Sequence, residues 1–94
     1  MKILYFSWIK DGIGKNVEEI DIDESIKTIS DLISFLVNKN EDYKKVFSDL
    51  SSVKFSKNMN LVSIDEDINN NDEIAFFPPM TGGWWLRYNQ KISL

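Results

Sequence analysis

Hydrophobic residues recur along this chain at two different spacings, and the change between them predicts where strands and helices lie. Residues 2–9 are rich in aromatic and β-branched side chains, which is typical of a β-strand. Because successive side chains of a strand point to opposite faces, both faces of this segment are largely apolar. One face carries Ile3, Tyr5 and Ser7, and the other carries Leu4, Phe6 and Trp8. A small domain covers only one face with its core, so the second face is either covered separately or offered to a partner.

The segment after this strand predicts a hairpin. Residues 11–14 (Asp-Gly-Ile-Gly) are typical of a turn, and residues 16–22 predict a second strand with Ile20 and Ile22 on one side. The sequence Gly-Ile-Gly-Lys lacks the spacing of a phosphate-binding loop and the Ser or Thr that follows its lysine. The turn is therefore the favoured interpretation.

A helical spacing begins at residue 28 and predicts a helix to about residue 38. Thr28 suits the N-cap position, and Asp31 stands where a capping box has its acidic residue. The apolar stripe of this helix consists of Ile29, Leu32, Ile33, Leu36 and Val37. Farther along, Tyr43, Val46 and Phe47 predict a second, short helical turn.

Three short strands are predicted in the rest of the chain, over residues 53–56, 61–64 and 73–77, with a turn cluster at residues 69–72. The order β-β-α-(short α)-β-β-β predicts an α+β fold in which one main helix packs on one face of the sheet. The carboxylates between residues 65 and 73 do not have the spacing of a calcium-binding loop, so a solvated acidic face is favoured over a metal site.

Composition limits the possible chemistry. The 94 residues are enough for one small domain, and they include no cysteine and no histidine. A thiolate nucleophile, a zinc–sulfur site and the usual general base are therefore all missing, and a self-contained enzyme is not expected. The net charge is −4, and all fifteen acidic residues lie within residues 1–83. This acidic body argues against nucleic acid, and the absence of a leader or membrane-span pattern makes the cytoplasm the expected location.

The end of the last strand is the most specific segment of the sequence. Phe76 and Phe77 are followed by Pro78-Pro79, which cannot donate hydrogen bonds to a sheet, and then by Met80-Thr81-Gly82-Gly83. Two glycines without side chains make a thin chain end that can enter a narrow active site.

With this segment the chain resembles the small, sulfur-carrying subunits of molybdopterin synthase, which are ubiquitin-like β-grasp proteins. The resemblance covers about residues 1–83. It depends on residues 2–6 (Lys-Ile-Leu-Tyr-Phe), residues 28–32, Asn58, and above all residues 72–83. The related carriers of the thiamine pathway share the fold and the diglycine, but usually lack the Phe-Phe-Pro-Pro stretch.

The resemblance implies a mixed sheet of about five strands, in which the first strand pairs in parallel with the last between two hairpins. It also implies that an activating enzyme uses ATP to adenylate the carboxylate of Gly83, and that sulfur then replaces AMP to give a thiocarboxylate. The carrier itself binds no cofactor and no metal. The thiocarboxylate end, with Gly82 beside it, enters the large synthase subunit, where the catalytic residues lie, and donates sulfur to a pterin precursor in a heterotetramer.

The same resemblance implies an apolar docking face beside the chain end. By position it carries over to Phe6, Leu61, Phe77, Pro78, Met80 and Thr81. Exposed aromatic residues of this size usually mark an interface. The alternative is that these residues belong to an ordinary core or sheet, and for Leu61 the two interpretations are balanced.

The chain departs from the family pattern after Gly83. Members of the family normally end at the diglycine, whereas here residues 84–94 follow, beginning with Trp84 and Trp85. A protease could cut between Gly83 and Trp84, the extension could be retained on a binding module, or it could be an artefact. Two adjacent tryptophans are not expected to stay solvated, and they could shield the apolar face formed by Leu4, Phe6 and Phe77.

The sequence therefore predicts a carrier domain over residues 1–83 and an extension of unknown role over residues 84–94. The leading hypothesis is a sulfur carrier for molybdopterin synthesis. A carrier for thiamine synthesis, tRNA thiolation or protein conjugation, and a non-catalytic β-grasp binding module, are the alternatives.

Overall fold

The computed structural model of the protein describes residues 1–79, which form a five-stranded mixed sheet with helices packed against it. In chain order the elements are β1 (Lys2–Tyr5), α1 (Ser7–Ile13), β2 (Val17–Glu19), α2 (Ile29–Val37), α3 (Glu41–Val46), a 3-10 turn (Leu50–Ser52), β3 (Lys54–Lys57), β4 (Asn60–Val62) and β5 (Glu73–Phe77). The strands lie side by side in the order β2-β1-β5-β3-β4. β1 and β5 are parallel, and the other three pairings are antiparallel. The predicted α+β class and the central parallel pair are confirmed.

The first strand is shorter than predicted, because a helix follows it at once. Residues 2–9 were expected to form a single strand, but β1 ends at Tyr5 and α1 begins at Ser7, which has a positive φ of 57°. Ile9 and Ile13 are four residues apart and both are buried, so they satisfy a helical spacing that a period of two does not reveal. α1 ends at Gly14, whose φ of 89° is a left-handed conformation that glycine adopts easily.

The turn predicted at residues 11–14 is wrong, because residues 11–13 belong to α1. The other predicted helices and strands are present with shifted ends. The second strand covers Val17–Glu19 within the predicted residues 16–22, and β3 and β4 are each moved by one residue at their start. β5 has the predicted bounds, Glu73–Phe77. Strand ends shift because pairing with a neighbour decides which residues of an apolar run join the ladder.

The main helix, α2, begins as the sequence predicts. The Thr28 hydroxyl accepts a hydrogen bond from the backbone N–H of Asp31 at 3.2 Å, and the Asp31 carboxylate accepts one from the N–H of Thr28 at 3.2 Å. This reciprocal pair is a capping box. The helix buries Ile29, Leu32, Ile33 and Leu36 against the sheet, while Val37 is partly buried.

Phe76 lies at the centre of the core between the sheet and the helices. Its ring stacks on Tyr5 with centroids 5.9 Å apart, and it meets Phe47 and Phe55 edge-on at 5.0 and 5.9 Å. Phe76 is fully buried, and burying such a ring is worth about 1.5–3 kcal/mol. The core thus fixes β5, the strand that leads to the chain end, between β1 and β3.

The carboxylate of Glu18 lies on the core side of the sheet and accepts hydrogen bonds from four side chains. The Tyr43 and Tyr5 hydroxyls donate to Glu18 Oε1 at 2.7 and 2.9 Å. Lys39 Nζ donates to Glu18 Oε2 at 2.8 Å, and Lys15 Nζ lies 3.4 Å from the same oxygen. Burial alone would raise the pKa of Glu18, but the hydrogen bonds from Lys39, Tyr43 and Tyr5 outweigh it and lower that pKa to about 2.

We expect Glu18→Gln to reduce the free energy of unfolding by about 1–3 kcal/mol above pH 4.5, because a charged acceptor is lost at a buried site. The native pKa of Glu18 lies below its ordinary value of 4.5, so its contribution in the unsubstituted protein is complete above pH 4.5 and is lost as the pH falls towards 2. The difference in the free energy of unfolding between the unsubstituted protein and Glu18→Gln, measured by urea unfolding, should therefore shrink as the pH falls from 4.5 towards 2. The exposed Glu24→Gln is the matched control, and a difference that did not depend on pH would contradict the assignment.

Candidate functional site

The face of the sheet opposite α2 and α3, here called the open face, carries a small apolar cluster of its own. Strand register places Leu4, Ala75, Ser56 and Leu61 side by side across four strands of this face. Phe77 lies two residues after Ala75 on the same face of β5, opposite Lys54. The cluster, here called the open-face cluster, consists of Leu4, Phe6, Met59, Ala75 and Phe77. The sheet is therefore apolar on both sides, as the alternation in the first strand predicts.

The chain leaves the sheet beside this cluster. Because β1 and β5 are parallel, both end at the same edge, and the N–H of Phe6 donates to the carbonyl of Phe76 at 3.1 Å. β5 ends at Phe77, and Pro78 and Pro79 follow outside any strand. Proline has no backbone donor, so the ladder cannot continue through these two residues. The pairing thus delivers the chain end next to Phe6.

The predicted docking residues have very different exposures. Leu61 is 62% exposed, Phe6 and Pro78 are half-buried, and Phe77 is fully buried. The expectation that Phe77 is an exposed ring is therefore wrong: its side chain is fully buried, and Leu4, Phe6 and Met59 pack against the pair that it forms with Ala75. The remaining predicted residues lie outside the described residues; they are Met80, Thr81, Gly82, Gly83 and Trp84.

Asn58 holds the hairpin between β3 and β4 to the beginning of β5. Its side-chain oxygen accepts the N–H of Glu73 at 2.9 Å, its amide nitrogen donates to Asp72 at 2.9 Å, and its own N–H donates to the carbonyl of Glu73 at 2.8 Å. Asn58 has a φ of 49°, a left-handed conformation that asparagine tolerates better than most residues. The next residue, Met59, also has a positive φ and joins the open-face cluster, which the sequence did not indicate.

A shallow depression of about 450 Å³ lies where the start of β3 meets the ends of β4 and β5, next to the chain exit. It is lined by Lys54, Phe55, Leu61, Val62, Ser63 and Phe77. Its walls combine aromatic and aliphatic side chains with one lysine at the rim. A depression of this kind suits the insertion of an apolar side chain from another segment or another protein.

The acidic residues of the last loop serve the fold. Asp72 accepts the N–H of Asn69 at 2.9 Å in the turn before β5, and Glu66 forms an ion pair with Lys57 at 2.8 Å. Within residues 1–79 no three potential metal ligands come together, and no helix there is long and apolar enough to cross a membrane. What this part of the chain offers is a surface and an exit for the chain end.

Comparison with known proteins agrees with this geometry. The domain is a ubiquitin-like β-grasp: the crystal structure of SAMP1 from Haloferax volcanii matches with a TM-score of 0.65 at 21% identity, over 88% of this chain and 98% of that one. A putative molybdopterin converting factor, subunit 1, from Pyrococcus furiosus matches with a TM-score of 0.68 at 26% identity, over 84% and 95%.

Sequence comparison defines the family more narrowly. The ThiS family profile matches residues 3–83, and the chain belongs to this family. The molybdopterin synthase sulfur carrier subunit of Dictyostelium discoideum is 38% identical over 87% of this chain and 94% of its own. The subunit of the same name from Escherichia coli is 29% identical over 88% of this chain and 99% of its own. The family match ends at Gly83, and residues 84–94 lie beyond it.

Ser56 is the one buried side chain within residues 1–79 whose polar atom has no hydrogen-bond partner. It is fully buried next to Ala75 on the open face. An unpaired buried hydroxyl costs about 1–3 kcal/mol. We therefore expect Ser56→Ala to leave stability unchanged or to raise it by about 1 kcal/mol, measured by chemical unfolding. Ser63→Ala at an exposed position is the control, and a marked loss of stability in Ser56→Ala would mean that the hydroxyl has a partner.

Proposed function

We propose that this protein is a sulfur carrier that supplies sulfur for molybdopterin synthesis as a thiocarboxylate on Gly83. The observation that carries the proposal is the family match, which spans the whole β-grasp and ends at the diglycine. Relatives that align over this same length are named as sulfur carrier subunits of molybdopterin synthase. The exit of β5 beside an apolar face supports it, since a carrier must present its end and a docking surface together.

The chemistry requires a free carboxylate and an external activating enzyme. A carboxylate is a poor electrophile, so one of its oxygens first attacks the α-phosphate of ATP, and pyrophosphate leaves. A sulfide-level nucleophile (HS⁻) then attacks the acyl carbon, the C–O bond to AMP breaks, AMP leaves, and loss of the sulfur-bound proton gives the thiocarboxylate. The carrier contributes reach and docking and no acid or base, which fits a chain without histidine or cysteine.

The proposed partners follow from these steps. The thiocarboxylate end enters the large subunit of molybdopterin synthase, whose residues catalyse sulfur transfer to the pterin precursor. Because each product takes up two sulfur atoms, the proposed assembly is a heterotetramer with two carriers. An adenylating enzyme binds the same end beforehand in the cytoplasm. The carrier binds no cofactor or metal of its own.

The extension sets one further requirement. While residues 84–94 are attached, the carbonyl of Gly83 belongs to a peptide bond and there is no carboxylate to adenylate. The proposed route therefore includes cleavage between Gly83 and Trp84 by a processing protease.

The direct test is sulfur loading of the chain trimmed after Gly83. The trimmed chain is mixed with ATP, a sulfide donor and an enzyme that adenylates carriers of this family. Its intact mass should then rise by the difference between one sulfur and one oxygen atom. Full-length protein should gain nothing, because it lacks the reacting group. A chain trimmed after Gly82 is the matched control. Failure of the trimmed chain to load, while an authentic carrier loads in the same mixture, would reject the proposal.

The docking surface can be tested with one exposed residue on each side of the domain. Leu61 on the open face is 62% exposed, and Phe35 on the outer side of α2 is 39% exposed. In the trimmed chain, Leu61→Arg should weaken binding to the large subunit at least tenfold, because it places a charge in an apolar contact worth about 1–3 kcal/mol. Phe35→Arg should leave affinity unchanged in calorimetry. Equal effects of the two substitutions would show that the open face is not the docking surface.

A further inference from the structure

Two residues of the open-face cluster are fully buried although α2 and α3 lie on the other face of the sheet. Ala75 and Phe77 have no exposed surface, and their cluster contains no residue of α2 or α3. Those helices pack into the other cluster, around Phe76. Sheet faces that bury large rings are usually covered by a second layer, because an apolar face left to water loses the free energy of burial.

We propose that the second layer is the chain's own extension: residues 84–94 fold back and dock on the open-face cluster through Trp84 and Trp85. These residues lie outside the described part of the chain, and the inference rests on the open face, on the length of the chain that follows β5, and on its composition. The occupant is thus a segment of the same molecule, not a second copy or a partner.

The connecting segment is long enough for this docking. Residues 78–83 separate Phe77 from Trp84, and six extended residues span about 20 Å. Neighbouring strands lie about 4.8 Å apart, so the outer strands β2 and β4, each two strands from β5, are about 10 Å away. The tryptophan pair can therefore reach any part of the open face, including the depression at the ends of β4 and β5.

The composition of the extension complements the surface. Two tryptophans bring large apolar rings to a layer made of aliphatic, aromatic and methionine side chains, where an Sδ–ring contact is also favourable. Arg87 and Lys91 give the extension a charge of +2, whereas residues 1–83 hold nine basic against fifteen acidic residues. Among the strand residues of the open face the charges balance, with Glu19 and Glu73 against Lys2 and Lys54, so the acidic excess is that of the domain as a whole.

This arrangement makes the extension an inhibitor in two ways. It withholds the carboxylate of Gly83 by a peptide bond, and it occupies the surface that the large subunit needs. The second consequence rests on the proposed function, whereas the docking of the extension does not. Cleavage after Gly83 would then release the reacting group and the docking surface in one step.

The chain is well suited to a direct test in its full-length form. It has no cysteine, so Lys54→Cys, opposite Phe77 on the open face, gives a single site for a fluorophore that tryptophan quenches on contact. Trp8→Phe removes the one tryptophan outside the extension. We expect strong quenching in this protein and a several-fold rise in emission after Trp84→Ser with Trp85→Ser. The same label at Ser34→Cys, on the exposed side of α2, should not respond.

The controls separate this inference from its alternatives. Asn89→Ser with Gln90→Ser changes the extension without removing a ring and should leave the label at residue 54 quenched. Equal emission with and without the two tryptophans would overturn the inference, and quenching that grows with protein concentration would assign the surface to a second copy. Sulfur loading of the trimmed chain is measured separately, so either result leaves the carrier function to its own test.

Discussion

The parallel pairing of β1 with β5 is the constraint on which the rest of this structure depends. It places the first and last strands of the described domain at the centre of the sheet, and it makes both end at the same edge. The hydrogen bond from Phe6 to Phe76 fixes that edge, and the two prolines after Phe77 prevent the ladder from continuing. This pairing therefore places the exit of the chain after Phe77 beside the apolar surface of the open face.

The face of the sheet under α2 and α3 mainly stabilises the fold, whereas the open face is suited to recognition. The face under α2 and α3 holds the larger core, with Phe76 at its centre and Glu18 satisfied by two tyrosines and two lysines. A buried carboxylate is tolerated there because every donor it needs is supplied. The open face holds a much smaller cluster and an unpaired hydroxyl at Ser56. A surface of this kind contributes less to folding and is available for contacts made and broken during function.

Several elements could be read from the sequence because their signals are local. The capping box at Thr28 and the apolar stripe of α2 depend on residues within a few positions of one another, and the bounds of β5 follow from an apolar run that meets two prolines. α1 was missed because Ile9 ends an apolar run that also alternates, and because Ile13 lies between two glycines in a segment typical of a turn. The exposure of Phe77 was misjudged for a different reason: the alternation gives the face on which a residue lies, but the tertiary packing on that face decides whether its side chain reaches water.

The sequence by itself determined the class of fold, the two-sided character of the sheet, the diglycine after β5 and the absence of thiol and imidazole chemistry. These follow from composition and from spacing along the chain, which need no knowledge of distant neighbours. Only the tertiary structure decided that Met59 joins the open-face cluster, that Asn58 fastens the hairpin to β5, and that Glu18 is held by Tyr5, Tyr43, Lys15 and Lys39. Each of these contacts joins residues far apart in the chain, and the register of the strands and the packing of the helices bring them together.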